Sequence, residues 1–162
     1  MEHVLIRRLE HLSGSDAGPA LGFGVELRDR PGPLHKLGAY PDDPVWIQIH
    51  GGLVVGRAVV RISWVGEYDD VRQVRDRTQG SALQSMDEFW THRPRYGYAG
   101  VVALDRERWV EPFWAGPRTY GYEWIRLEAE AKRSSWLTPK PPPRGGEGLL
   151  QRFESWRLRA GS

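Results

Sequence analysis

Glu26 and Arg28 stand two residues apart in Gly22-Phe-Gly-Val-Glu-Leu-Arg-Asp29. In an extended chain, that spacing puts both side chains on one face. A carboxylate there can accept from a base amino group, and a guanidinium can donate to a base edge or to a phosphate. Trp46 and Arg57 form a second pair if their segments make a hairpin, because a guanidinium over an indole face is a cation–π contact. His92-Arg-Pro-Arg95, together with Arg118, is the densest basic cluster, so Arg93, Arg95 and Arg118 join Arg57 as residues able to hold phosphates. Trp90, Trp114 and Tyr120 border loops and are the rings expected at a surface, where aromatic side chains stack unpaired bases. Glu26 and His50 are the candidate general bases if a water is to be activated.

Other chemistries lack their residues. With no Cys there is no thiolate nucleophile and no zinc-ribbon site. Five His without an H-x-x-x-H spacing, and with no carboxylate triad, give no metal signal. Ser85 lies in a helix-capping pattern, Ser85-Met-Asp-Glu88, and not in a G-x-S-x-G elbow. Gly22-Phe-Gly24 precedes no helix, so it is not a dinucleotide fingerprint. Neither a metal nor a cofactor is expected.

The elements that would position these residues are mostly strands. Two β-rich runs flank Gly51-Gly52, and both glycines can take the positive φ of a tight turn. A two-residue turn pairs Ile49 with Val54, Ile47 with Gly56 and Val45 with Ala58 on one apolar face. On the other face it pairs Trp46 with Arg57, Gln48 with Val55 and His50 with Leu53. Strands are also expected over 22–29, 96–104, 108–113 and 122–128, and a short helix over 86–91, while 3–9 reads as a strand or a short helix. The polar stretch 66–80 leaves helix and loop open. Pro139-Lys-Pro-Pro-Pro-Arg-Gly-Gly146 breaks regular structure. Beyond it, Leu149, Leu150, Phe153 and Trp156 recur at helical spacing. The expected organisation is a barrel domain over 1–136, a Pro/Gly-rich linker over 137–146, and an amphipathic helix over 147–162 that packs back on the domain.

The chain has 162 residues, a net charge of +2 and eight Trp. Its basic side is 20 Arg against 3 Lys. Arg grips phosphate and carboxylate bidentately and stacks on rings, which Lys does poorly. No apolar run approaches the roughly 18 residues of a membrane span and the N-terminus lacks a signal core, so a cytoplasmic protein with no membrane partner is the expectation.

Several stretches in order carry a family resemblance. Val25-Glu-Leu-Arg-Asp-Arg30, a Pro-rich gap, Val45-Trp-Ile-Gln-Ile-His50 and Val54-Val-Gly-Arg-Ala-Val59 resemble the front half of ASCH domains. These belong to the PUA-like superfamily, as do EVE and YTH domains. Tyr98-Ala-Gly-Val-Val-Ala-Leu104, Trp109-Val-Glu-Pro-Phe113 and Arg118-Thr-Tyr-Gly-Tyr-Glu-Trp124 resemble the back half. The resemblance covers about residues 20 to 128. It implies a small α+β fold, a mixed β-barrel with a few short helices, and a role connected with nucleic acid. The family pattern G-x-K-x-x-E-x-R puts its last two letters on Glu26 and Arg28. Its lysine falls on Phe23, where ASCH enzymes that cleave an amide on a modified nucleoside carry a catalytic lysine.

The function expected is therefore nucleic-acid binding, to RNA or to DNA or RNA with a modified base. Glu26 and Arg28 would read a base edge, and Arg57, Arg93, Arg95 and Arg118 would hold the backbone. Two other readings differ in their sequence consequences. A hydrolase of the ASCH type would use Glu26 or His50 on water. A protein-interaction module would show a flat apolar patch in place of converging arginines.

Overall fold

Six segments with apolar residues in alternation assemble one mixed sheet. They are β1 (Glu2–Arg7), β2 (Phe23–Arg28), β3 (Pro44–Ile49), β4 (Leu53–Tyr68), β5 (Gly97–Trp114) and β6 (Trp124–Leu127), in the order β2-β5-β4-β3-β1-β6. Only β1 and β3 run parallel; every other neighbouring pair is antiparallel. Among the described residues four α-helices accompany the sheet: α1 (Val71–Asp76), α2 (Asp87–Thr91), α3 (Glu130–Leu137) and α4 (Gly146–Ala160). This computed structural model describes all residues except 13, 20–22, 31–37, 80–81, 117–123 and 161–162. The architecture is the small α+β fold that the resemblance implies, with the expected mixed barrel present as a sheet curled into a half-barrel whose end strands are β2 and β6.

The sheet is apolar on both faces. On its concave side Leu5, Val45, Ile47, Ile49, Val60, Val102, Leu104 and Trp124 form the main core. One end of that core is closed by α4, whose Leu149, Leu150, Phe153 and Trp156 fall along its inward stripe. Phe153 is fully buried, which contributes about 1.5–3 kcal/mol. On the convex side, α1 and α2 cover Val25, Tyr68 and Val101 with Val74 and Trp90. Elsewhere on that side α3 lays Trp136 over Val4 and Leu127.

The β3–β4 hairpin follows its expected register only away from the turn. Val45 pairs with Ala58, Trp46 with Arg57 and Ile47 with Gly56. Nearer the turn, Gln48 pairs with Val54 and Ile49 with Leu53, because a bulge inserts Val55 into β4. Gly51 and Gly52 do take positive φ, +114° and +102°, but the turn is one residue longer than two. The bulge moves Val54 off the concave face, where it was expected, and puts Leu53 and Val55 there instead.

Other boundaries shift as well. The two strands expected over 96–104 and 108–113 are one continuous, bulged β5. The 66–80 stretch begins as the end of β4 and continues into α1, whose N-terminus is capped by Asp70 Oδ1 accepting from the Arg72 backbone N–H at 2.9 Å. Ser85 does not cap α2. It ends a 3-10 turn, and the N-cap position is Met86, which has no side-chain bond. The Pro-rich stretch is tied to the domain through Lys140 N–H, which donates to the Trp114 carbonyl at 2.8 Å. Among the described residues, no helix is long and apolar enough to cross a membrane.

Candidate functional site

Strand register decides which candidate side chains can meet. On β2, Val25 and Leu27 face the convex cluster, so Glu26 and Arg28 face the concave side. Their partners there are Gly100 and Tyr98 of β5, which in turn pair with Val65 and Glu67 of β4. The concave end of the sheet thus carries two adjacent rows, Arg28–Tyr98–Glu67 and Glu26–Gly100–Val65. Gly100 contributes no side chain between Glu26 and Val65. The Val65 side chain, at 39% exposure, is an apolar surface open to solvent.

The polar groups of these rows are held in place. Arg28 Nε donates to Glu26 Oε1 at 3.1 Å, with Nη2 at 3.0 Å from the same oxygen. Burial raises the Tyr98 phenol above its usual value, and the neighbouring Glu67, through its charge and a hydrogen bond, acts in the same direction. Beyond the Arg28 row opens a groove of about 460 Å³ lined by Asp29, Glu67, Asp69, Tyr68, Tyr96 and Tyr98. Three carboxylates make this end unfavourable for phosphate.

Trp46 and Arg57 meet as the hairpin requires, with the guanidinium carbon 4.6 Å from the indole centroid. They do so on the convex face, where Trp46 packs with Val4, Leu127 and Trp136. Arg57 therefore cannot join Glu26 and Arg28 in one cleft. Arg93 also stands apart, folded 4.0 Å over the Phe89 ring at the end of α2 and bonded to the Phe89 carbonyl. Arg95 is exposed in the loop between α2 and β5. The expected convergence of arginines is absent among the described residues, and Arg118 and Tyr120 lie outside them.

Two rings expected at the surface are core. Trp90 is buried on the inward side of α2, edge-on to Phe89. Trp114 is buried opposite Leu53 at the end of β5. Both border loops in sequence, but each falls on the inward side of its element. His50 is exposed at the β3–β4 turn, at the opposite end of β4 from the Glu26 row.

Sequence reasoning missed Tyr98, Gly100, Val65 and Glu67 as a group. Alternation along Tyr98-Ala-Gly-Val-Val102 carries the signal, once β5 is known to pair with β2. It also missed His3, which is fully buried on the concave side with Nε2 2.9 Å from Asp43 Oδ2 and its ring against Trp124. Burial lowers the His3 pKa, against the pull of Asp43. Burial alone would raise Asp43, but hydrogen bonds from His3, the Tyr40 N–H and the terminal amine hold it below the usual carboxylate range.

No family model matches the chain. No curated protein matches it either. Two solved structures are similar to it. Both are variants of ZmASCH from Zymomonas mobilis, one with a serine changed to alanine and one with a tyrosine changed to phenylalanine. The first is 16% identical with a TM-score of 0.45, covering 68% of this chain and 72% of that one. The second is 18% identical with a TM-score of 0.44, covering 68% and 73%.

Proposed function

We propose that the protein binds nucleic acid by receiving single unpaired bases on the concave end of the sheet. The ligand is RNA, or DNA or RNA carrying a modified base. The observation that carries this reading is the pair of rows in which Gly100 leaves a side-chain gap between Glu26 and Val65, flanked by Arg28 and Tyr98. A carboxylate and a guanidinium held against each other offer an acceptor and donors to the edge of a base. The Tyr98 ring and the apolar Val65 surface suit its face. The acidic groove beside them disfavours phosphate, so affinity at this site comes from the base.

The test is a titration of the protein with single-stranded RNA, single-stranded DNA, duplex DNA and free nucleosides at two salt concentrations, repeated with Glu26→Gln and Arg28→Ala. Single strands bind, duplex DNA binds least because its bases are stacked and paired, and both variants weaken the single-strand complex. Absence of binding to every ligand at low salt defeats the reading.

A further inference from the structure

On the convex face, the β4–β5 ladder sets two arginines against one another. Arg57 and Arg108 are direct cross-strand partners. Like charges in that position repel. Neither forms an ion pair with a carboxylate among the described residues, and Arg108 is exposed. Two acids beside the pair have partners of their own. Glu2 accepts from Trp46 Nε1 at 3.2 Å and from Arg133 Nε at 3.0 Å, and Asp105, beside this pair in the ladder, accepts the Arg106 backbone N–H at 2.8 Å.

The backing of Arg57 is rigid. Its guanidinium lies over Trp46, and the Trp46 ring meets Phe113 edge-on at 6.0 Å. A guanidinium stacked by its face keeps its N–H donors at the rim, where they can grip an oxyanion bidentately. An anion between Arg57 and Arg108 would also relieve their repulsion. Among the described residues, β2 pairs with β5 only from Tyr98 to Ala103. At Arg108 the edge of β5 is met by Gly18, which leaves no room for a Cβ against the Glu107 carbonyl and the Arg108 Cα, so the two guanidiniums are reached from the convex face alone.

We propose that Arg57 and Arg108 bind the phosphodiester backbone of a single-stranded nucleic acid, with Trp46 holding Arg57 in place. This inference rests on the nucleic-acid reading above. It concerns the opposite face of the sheet and a different part of the ligand. The base goes to the acidic concave end, and the phosphates go to the cationic convex face.

The experiment follows a labelled single-stranded oligoribonucleotide by anisotropy across a salt series, with wild type, Arg108→Ala, Arg57→Gln and the double variant. Free nucleoside and inorganic pyrophosphate are titrated in parallel. The double variant is expected to reduce the magnitude of the log K against log[salt] slope by about 1.4, at about 0.7 per phosphate contact on a single strand. Nucleoside affinity stays unchanged. The Arg108 side chain is exposed and makes no hydrogen bond or ion pair among the described residues, so Arg108→Ala tests the proposal without disturbing packing, and about half the slope change is expected from it. An unchanged slope in all three variants overturns the proposal. Pyrophosphate binding with no oligonucleotide binding overturns the phosphodiester assignment. A reduced slope alongside absent nucleoside binding supports this site and counts against the concave one.

Discussion

The two faces of the β4–β5 ladder carry opposite chemistry on the same strands. The concave end presents Glu26, Glu67 and Tyr98 with one paired arginine, beside a groove containing Asp29 and Asp69. The convex middle presents Arg57 and Arg108 over Trp46. Bulges keep the two apart. Ala58 and Val60 are concave, but after the register shift between Val60 and Ile62 the concave positions become Ser63, Val65 and Glu67. One inserted residue therefore exchanges the faces of everything downstream. A site on this sheet is defined by the bulges as much as by residue types.

The most disruptive way to break one face alone is Gly97→Ala. Gly97 begins β5 at φ +148°, and a Cβ there would overlap the Arg28 carbonyl oxygen. The substitution should cost about 2–4 kcal/mol in denaturant unfolding. It should also abolish nucleoside binding in whatever fraction remains folded at low temperature, because β2 can no longer seat its Arg28 row. Next in size, Glu26→Gln should weaken single-strand binding by about tenfold to a hundredfold, as expected for losing a hydrogen bond to a charged group, with the salt slope preserved. Equal losses of affinity and salt slope would mean that the two faces are not separate.

A pH titration of stability sharpens the account of the concave core. His3 has a folded pKa below its ordinary 6.5. The unfolded chain takes up that proton first, so stability is complete above about pH 6.5 and falls as the pH drops from there toward the folded value. His3→Gln should remove this portion of the pH dependence, read from unfolding midpoints between neutral and mildly acidic pH. Smallest is Asp70→Ala, which removes the α1 cap and lowers the unfolding midpoint slightly. The Asp70 carboxyl is held at about 2 by Arg72. Its capping contribution is thus complete above the ordinary value of 3.8 and disappears as the pH falls toward 2. Neither change should alter binding on the convex face.

Much of the sheet was legible in the sequence. The pairing of Trp46 with Arg57 followed from alternation and the Gly51-Gly52 turn. So did the shared face of Glu26 and Arg28. What alternation could not supply was the Val55 bulge, which a one-residue-longer turn compensates, and the continuity of β5 through its bulged middle. The helix α3 left little trace. Its N-cap is Ala129 with no side-chain bond, and Trp136 is its one buried residue. Trp90 and Trp114 were misplaced because closeness to a loop in sequence says nothing about which side of an element faces inward. The site suffered from the same gap. Arg57 and Glu26 are both plausible ligand contacts by type, yet only three-dimensional register shows that they cannot share a ligand group.

The most direct measurement is a two-dimensional amide and indole NMR titration of the protein with a nucleoside. The account predicts shifts concentrated at Gly100, Val65, Tyr98, Glu26 and Arg28, with the Trp46 indole resonance unmoved. Shifts centred on Trp46 and Arg57, or none at saturating nucleoside, would contradict it.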